Sequence, residues 1–475
     1  MQAAAAKAEP RHWFAAALWV VALVTGLRVL ALFLTTLDLY TDEAQYWLWG
    51  QRLDFGYYSK PPLIGWVIRA VTELAGSDAP FWVRLPAPLL HGATAMVLGA
   101  IGARAAGARV GFWSAAIYVT LPFAAVGSVL ISTDTIMAPA YAAAILFLLR
   151  TSERSRARDA LLAGGFAGLA FMAKYAAIYL IVGAVLAALV SRRFRPGWRN
   201  AALMVLAFGV VISGNVIWNL THELTTVAHT MDNMGWLREE AEKHWSTLFE
   251  FWGSQIAVFG PVTLVGLLLA LRLVAEPALR GLWMLTLPPF VAVSVQAYME
   301  SAYANWAVAT YFAGTVLAVA ALSERWRKIA FGVNGALSLA VLMLVVLAPW
   351  PERSGDPLLK RYIGRAETSQ AILDLAKTEG LPVYSGRRDV LADLFYTGRD
   401  SGVTLFSSRP ADRPAHYYQQ NFALPEGYAG EVLVVAAAAP DCNGEPVAPL
   451  MDLRATGVWQ KQPLAAYRLA AGCLE

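Results

Sequence analysis

Charge is what this sequence has least of. Of 475 residues only 15% are Asp, Glu, Lys or Arg, while 57% are hydrophobic. Soluble domains carry about a quarter charged residues, so an ordinary soluble fold is excluded. The net charge is only +4, and no basic cluster with interleaved aromatics occurs, which gives no footing for a nucleic-acid partner. There is no Gly-x-x-x-x-Gly-Lys-Ser/Thr loop, no Gly-x-Ser-x-Gly and no Cys-x-x-Cys, so soluble nucleotide chemistry is not indicated. Cysteine is nearly absent: Cys442 and Cys473 are the only two.

What fills the chain instead is apolar sequence, with a mean hydropathy of +0.48. The 17 Trp and 18 Tyr suit a protein with two membrane–water interfaces, where such rings concentrate. Apolar runs predict eleven helices, at 13–34, 81–103, 110–130, 133–150, 159–173, 175–190, 201–219, 251–271, 281–297, 304–322 and 329–349. The first run is long enough to span and lacks a cleavage pattern, so it reads as retained. With Met1 inside, the inner connections hold most of the Lys and Arg, including Arg104, Arg150, Arg192, Arg193 and Arg327. The outer connections before residue 350 hold far fewer, among them Arg52, Lys60, Arg69 and Lys174. This asymmetry orients the chain and puts the region after residue 349 outside.

From about Pro349 charged and turn residues rise and apolar runs shorten to strand length. Helices at 357–379 and 388–396, with strands at 382–385, 403–406, 431–436 and 458–469, make a small α/β domain. The expected division is 1–349 for the membrane domain, with outer loops 35–80 and 220–250, and 350–475 for the second domain. Both cysteines fall in the latter, where an oxidising exterior favours a Cys442–Cys473 disulfide over two thiols.

Four outer-face stretches carry ionisable residues. Ionisable groups at a membrane boundary tend to mark function. Asp42 and Glu43 follow Thr41 directly after the first span. A helix start with Thr41 as N-cap explains the residue types, and it would also hold the carboxylates rigidly. Ala44 to Leu53 then reads as a helix lying in the interface. Lys60, in Tyr58-Ser59-Lys60-Pro61-Pro62, lies eighteen residues after Asp42. It either snorkels to headgroups or serves as a point charge for a phosphate. Arg84 would add a bidentate contact, and Arg69 either does the same or faces headgroups. Asp134, in Ser132-Thr133-Asp134-Thr135, is explained by an N-cap and first turn, or by a meeting with Asp42 in space. The 220–250 loop holds His222, Glu223, His229, Asn233 and His244; His222, Glu223 and His229 could form a metal site, but their spacing matches no strong zinc pattern. Polar contacts to a sugar or phosphate suit His229 and Asn233 better. Asn305 begins the tenth span, as an interface anchor with Trp306 or as a cavity-lining residue.

An acidic pair after span one, Lys60-Pro61-Pro62-Leu63 before span two and an acidic residue between spans three and four form a recognisable pattern. It resembles the GT-C fold membrane glycosyltransferases, specifically the bacterial branch of glycosyltransferase family 39. That branch includes lipid A aminoarabinose transferases and galacturonic acid transferases acting on lipid A and lipopolysaccharide core. The resemblance covers roughly residues 13–320. It implies an α-helical polytopic membrane protein of about eleven spans in the bacterial inner membrane, with its site and α/β domain facing the periplasm. Asp42 would be the base or acceptor-orienting aspartate, Asp134 the second acidic position, and Lys60 the donor-phosphate contact, with Tyr58 beside it. Where the aminoarabinose transferases carry Glu-Lys-Pro-Pro, this chain has Ser59.

The activity so implied is inverting transfer of a sugar from a polyprenyl-phosphate donor to a lipid or glycolipid acceptor. No cofactor is required; a divalent cation (Mg or Mn) between Asp42 and Asp134 is compatible with the pattern but not demanded by it. The rival readings are a transporter or flippase of a lipid-linked sugar and a protein O-mannosyltransferase. Transport predicts ionisable groups near the midplane, whereas here, Arg28 apart, they gather at one face.

Overall fold

The computed structural model describes residues 12–234, 244–347, 359–442, 444–453, 457–459 and 464–474. They form two compact units. One comprises the described residues of Met1–Phe33, Lys60–Ile64 and Arg84–Leu344; the other comprises Leu34–Ser59, Gly65–Val83 and the described residues of Val345–Glu475. The division differs from a cut at 349/350. The stretch following the first span groups with the C-terminal residues, because its aromatic side chains find their partners there.

In the first unit each of the eleven apolar segments carries helix. Among the described residues six helices are long and apolar enough to cross a membrane singly: Trp13–Leu34, Pro80–Ala106, Thr133–Arg154, Trp198–Thr221, Pro277–Met299 and Glu324–Leu347. Counting two bent pairs as one span each gives eight, and Tyr175–Val190 and Thr310–Ala321 are shorter apolar helices. The shortfall from eleven full spans has local causes. Ala108–Thr120 and Pro122–Val129 meet at 53°, and Trp245–Phe259 and Pro261–Leu273 at 107°. In both pairs a proline opens the second helix, where its missing N–H does no harm but the preceding residue is pushed out of the helical region. The sharper bend has Gly260 at φ +79, and a Cβ there would lie 2.1 Å from Asn334 Oδ1. Only glycine fits.

Arg28 is wholly buried in this unit. It donates to Ser128 Oγ at 3.0 Å, to the Val119 carbonyl and to Ser338 Oγ at 3.4 Å. A buried cation without hydrogen bonds would be very unfavourable; these three acceptors join the first helix to the Ala108–Val129 pair and to Glu324–Leu347. Nearby, His91 Nδ1 lies 3.0 Å from Tyr118 Oη, and its Nε2 lies 3.3 Å from Thr135 Oγ1.

The second unit is built on a five-stranded mixed sheet. The described strands of the unit are β1 (Val383–Ser385), β2 (Leu405–Ser407), β3 (Glu431–Ala436), β4 (Asp441–Cys442), β5 (Glu445–Pro446), β6 (Met451–Asp452) and β7 (Ala465–Ala470). The sheet order is β2-β1-β3-β7-β6, and β4 and β5 form a separate hairpin. β1 runs parallel to β2 and β3, while β7 is antiparallel to β3 and β6. Alternation along β3 sends Leu433 and Val435 into a core with Ile372, Val383 and Leu394, and Val432 and Val434 to the other face with Tyr467 and Leu469. On that second face Cys442 and Cys473 are joined, with Cα atoms 5.2 Å apart. The chain also forms Tyr417–Phe422, a short helix outside the expected set.

The N-terminal part of this unit is helical at Thr41–Gln51 and Leu63–Ala75. The Thr41–Gln51 helix does not present itself as an interface helix, because nine of its eleven residues are buried in protein. Trp49 stacks on Tyr57 with centroids 4.7 Å apart, and Trp47 donates to Asp78 Oδ1 at 2.8 Å while meeting Tyr396 edge-on. Gly50 lets this helix approach the next closely: a Cβ on it would lie 2.9 Å from the Gly65 carbonyl oxygen. Gly50→Ala is therefore expected to lower stability by about 1–3 kcal/mol through overpacking, read as an earlier thermal unfolding of the detergent-purified protein.

Candidate functional site

The residues singled out from sequence fall in both units. Asp42 is in the first turn of Thr41–Gln51, whose N-cap is Tyr40 rather than Thr41, because helical dihedrals begin one residue earlier than the Thr41 signal suggests. Glu43 turns back to accept from the Tyr40 N–H at 2.9 Å, a capping role that keeps it away from chemistry. Asp42 itself is half-exposed and its Oδ1 accepts from Arg388 Nη2. The same guanidinium donates through Nε to Gln45 Oε1 at 2.9 Å.

Arg388 opens the Arg388–Thr397 helix. Burial alone would lower its pKa, but the charge of Asp42 and the hydrogen bond to it hold it above its ordinary value. Its neighbour Arg387 is engaged with Asp389 at 2.8 Å, and that carboxylate is held below its usual range by Arg387 and Arg365 against the effect of burial. The segment before Asp42 is fixed too. Asp38 Oδ2 accepts from the N–H groups of Arg365 at 2.9 Å and Ala366 at 3.3 Å, where the helix dipole of Arg365–Glu379 favours an anion.

Tyr58 is buried and donates to the Pro414 carbonyl at 2.7 Å, so its hydroxyl is engaged by the fold. Arg69 is engaged as well, by Gln51 Oε1 at 2.6 Å and by an ion pair with Glu73. With both contacts made, its guanidinium is a structural tie in the second unit rather than a ready phosphate ligand.

In the first unit Lys60 is partly buried in the turn before Leu63–Ala75, and Arg84 is almost wholly buried at the end of Pro80–Arg84. Asp134 lies in the first turn of Thr133–Arg154, which Ser132 caps by accepting from the Thr135 N–H at 3.3 Å. Its partners are specific. Lys174 Nζ donates to Oδ1 at 2.7 Å and Asn305 Nδ2 to Oδ2 at 3.1 Å. Sequence reasoning named Asp134 and Asn305 separately; the structure joins them through one carboxylate. It missed Lys174, although the signal was present: a lysine between two apolar runs, at a break where its own backbone is extended and Tyr175–Ala177 winds as a 3₁₀ turn. Beside it Tyr175 Oη donates to Asn215 Oδ1 at 2.9 Å and accepts from Asn219 Nδ2 at 3.1 Å. This polar cluster was also missed, because single asparagines in an apolar run carry little signal.

His229 is partly buried on the Thr225–Met234 helix; the side chain of Asn233 lies outside the described residues. His222 stacks on Trp218 and shares Nδ1 with its carbonyl at 2.8 Å, a helix-end role rather than metal ligation. Among the described residues no group of three or more His, Cys, Asp or Glu side chains gathers to hold a metal ion. Within its own unit each carboxylate faces a cation, Asp42 facing Arg388 and Asp134 facing Lys174.

A second carboxyl is shifted the opposite way to Asp389. Asp393, 3% exposed, has its pKa pushed up from 3.8 to about 6, first by burial and then by the charge of Asp38. The folded protein therefore keeps a proton that the unfolded chain releases above about pH 4, and stability falls as pH rises from there to about 6, by up to about 3 kcal/mol. Asp393→Asn is expected to flatten this loss, so that melting temperatures measured at about pH 4 and pH 7 lie closer together than in the unaltered protein.

Comparison with known proteins agrees with this architecture. Residues 59–218 match the family described as dolichyl-phosphate-mannose-protein mannosyltransferase. Over 467 residues the chain is 38% identical to the lipid A galacturonosyltransferase RgtD of Rhizobium johnstonii, covering 94% of this chain and 96% of that one. Among solved structures, ArnT from Cupriavidus metallidurans in the apo state superposes with a TM-score of 0.67 at 16% identity, covering 96% of this chain and 98% of that one. The same protein bound to undecaprenyl phosphate gives a TM-score of 0.64 at 16% identity and the same coverage. The Archaeoglobus fulgidus oligosaccharyltransferase gives 0.51 at 13% identity over 83% of this chain and 64% of that one. The solved structures establish the fold, and the 38% identity to RgtD establishes kinship; that relative is named as an enzyme, not a carrier, which removes the transporter reading. The chain is a polytopic membrane glycosyltransferase of the GT-C fold and belongs to the family of that lipid A galacturonosyltransferase.

Proposed function

We propose that this glycosyltransferase moves galacturonic acid from a polyprenyl-phosphate donor to lipid A at the periplasmic face of the bacterial inner membrane. The observation that carries the reading is the 38% identity, over nearly the whole of both chains, to a lipid A galacturonosyltransferase. The fold is shared with a protein solved with undecaprenyl phosphate bound, which suits a donor whose lipid tail lies among helices.

The chemistry follows from the residue types. An acceptor hydroxyl attacks carbon one of the sugar and loses its proton to the Asp42 carboxylate. The bond from carbon one to the phosphate oxygen breaks, its electron pair leaves with the polyprenyl phosphate, and the anomeric configuration inverts. Because Arg388 takes Oδ1 of Asp42, Oδ2 is the oxygen for the acceptor. An acceptor that is a phosphate is already ionised, and Asp42 then only orients it. Lys60 stabilises the charge growing on the departing phosphate, where a partly dry setting strengthens each cation. Lys174, held by Asp134, whose other oxygen accepts from Asn305, is a second cation of the same unit as Lys60. The family match to mannosyltransferases of proteins covers only 59–218, so a lipid acceptor is favoured over a protein.

The purified protein, given polyprenyl-phosphate galacturonic acid and lipid A, is expected to yield lipid A heavier by one uronic acid residue in mass spectrometry. Absence of transfer from that donor, with transfer of another sugar, would overturn the choice of galacturonate. Asp42→Asn and Lys60→Ala are each expected to lower turnover by about 100-fold or more in a protein that still folds; near-normal turnover of Asp42→Asn removes its catalytic role. Asp134→Asn and Lys174→Met are expected to lower turnover by similar factors, with the double variant no worse than the weaker single, as for two halves of one pair. Additive losses in that cycle would mean the two residues act separately.

A further inference from the structure

We propose that Arg388 is a positioning residue for the reaction: through it the C-terminal part of the chain holds the Asp42 carboxylate still for the acceptor. The inference rests on the reading of Asp42 as the group that meets the acceptor. Asp42 and Gln45 are three residues apart on one helix and so share a face. Arg388 reaches both at once, Nη2 to Asp42 Oδ1 and Nε to Gln45 Oε1. A planar guanidinium that is fixed at two points has little freedom left, and neither has a carboxylate hydrogen-bonded to it.

Cohesion alone does not account for the contact. Both partners are half-exposed, with side chains 38% and 44% accessible, and an ion pair so placed adds little to stability. The helices Thr41–Gln51 and Arg388–Thr397 are already fastened by Trp47, which packs on Tyr396 and donates to Asp78. What Arg388 adds is the orientation of one carboxylate. An aspartate in a first helical turn otherwise turns freely about two side-chain bonds, and catalytic groups misplaced by about 1 Å lose about 100-fold in rate.

The test uses the full-length protein in lipid nanodiscs with donor and acceptor as above. Arg388→Ala is expected to lower kcat by about 30–100-fold, with KM for the donor within about threefold and an almost unchanged melting temperature. Arg388→Lys keeps the charge but not the fork and is expected to recover only a small part of the loss. Added guanidinium ion is expected to raise the turnover of Arg388→Ala and not that of Asp42→Asn. Should Arg388→Ala unfold, Gln45→Leu, which removes one of the two anchors, is expected to lower kcat by a smaller factor at constant KM. If Asp42→Asn is inactive while Arg388→Ala or a folded Gln45→Leu retains its kcat, or if guanidinium restores nothing to Arg388→Ala, the positioning role is overturned. If Asp42→Asn is itself active, the underlying reading of Asp42 fails first.

Discussion

The second unit depends on one docking event, the packing of the Thr41–Gln51 helix against Arg388–Thr397. Everything near Asp42 is set by it. Trp47, Trp49 and Tyr46 are buried by residues far along the chain, and the polar edge of the same contact is the fork of Arg388 on Asp42 and Gln45. Asp38 fixes the entry to this helix by sitting at the N-terminus of Arg365–Glu379, and Tyr58 fixes the exit through Pro414. A surface loop would leave such a carboxylate mobile. Here the segment is clamped before, within and after the helix, by apolar burial for strength and by hydrogen bonds for direction.

The first unit solves a different problem, that of polar groups within an apolar bundle. Arg28 donates through its terminal nitrogens to two hydroxyls and a carbonyl rather than to a carboxylate, while its Nε has no partner among the described residues. It therefore acts as a donor hub between helices. Lys174 and Asp134 are by contrast a charge pair, only about 15% accessible on either side chain, at a place where two helices break or begin. A buried pair is weak evidence of stabilisation, and its location at helix ends beside Asn305 and the Tyr175–Asn215–Asn219 cluster suits recognition of a polar headgroup.

Much of this was legible in the sequence because the signals are local. Each of the eleven apolar runs carries helix, and the break at Lys174 falls where the runs divide. Asp42 and Glu43 in a first helical turn follow from a helix start, although the cap is Tyr40 rather than Thr41. The same locality explains the failures. Tyr46, Trp47 and Trp49 look identical whether they face headgroups or protein, so the helix carrying them read as interfacial until its partner was seen. Arg69 read as a phosphate contact or a headgroup-facing residue, because nothing local reveals its contacts with Gln51 and Glu73. Arg388 carried no signal at all; an arginine in an amphipathic helix is ordinary, and its meaning comes from a residue 346 positions earlier. Proline and glycine positions marked the bends but not their angles, which depend on packing.

That separation has a consequence for how the protein is made. The ribosome releases residues 41–51 more than three hundred residues before residue 388. During the interval the aromatic face of the early helix has no partner, and it must wait while the intervening helices are inserted. The order of synthesis therefore makes the later segment a checkpoint: only a chain extended past it can shield that face, and only then does Asp42 acquire a fixed direction. A chain halted earlier displays apolar surface of the kind that attracts chaperones and proteases, so incomplete copies are marked for removal by the same residues that would have shaped the site.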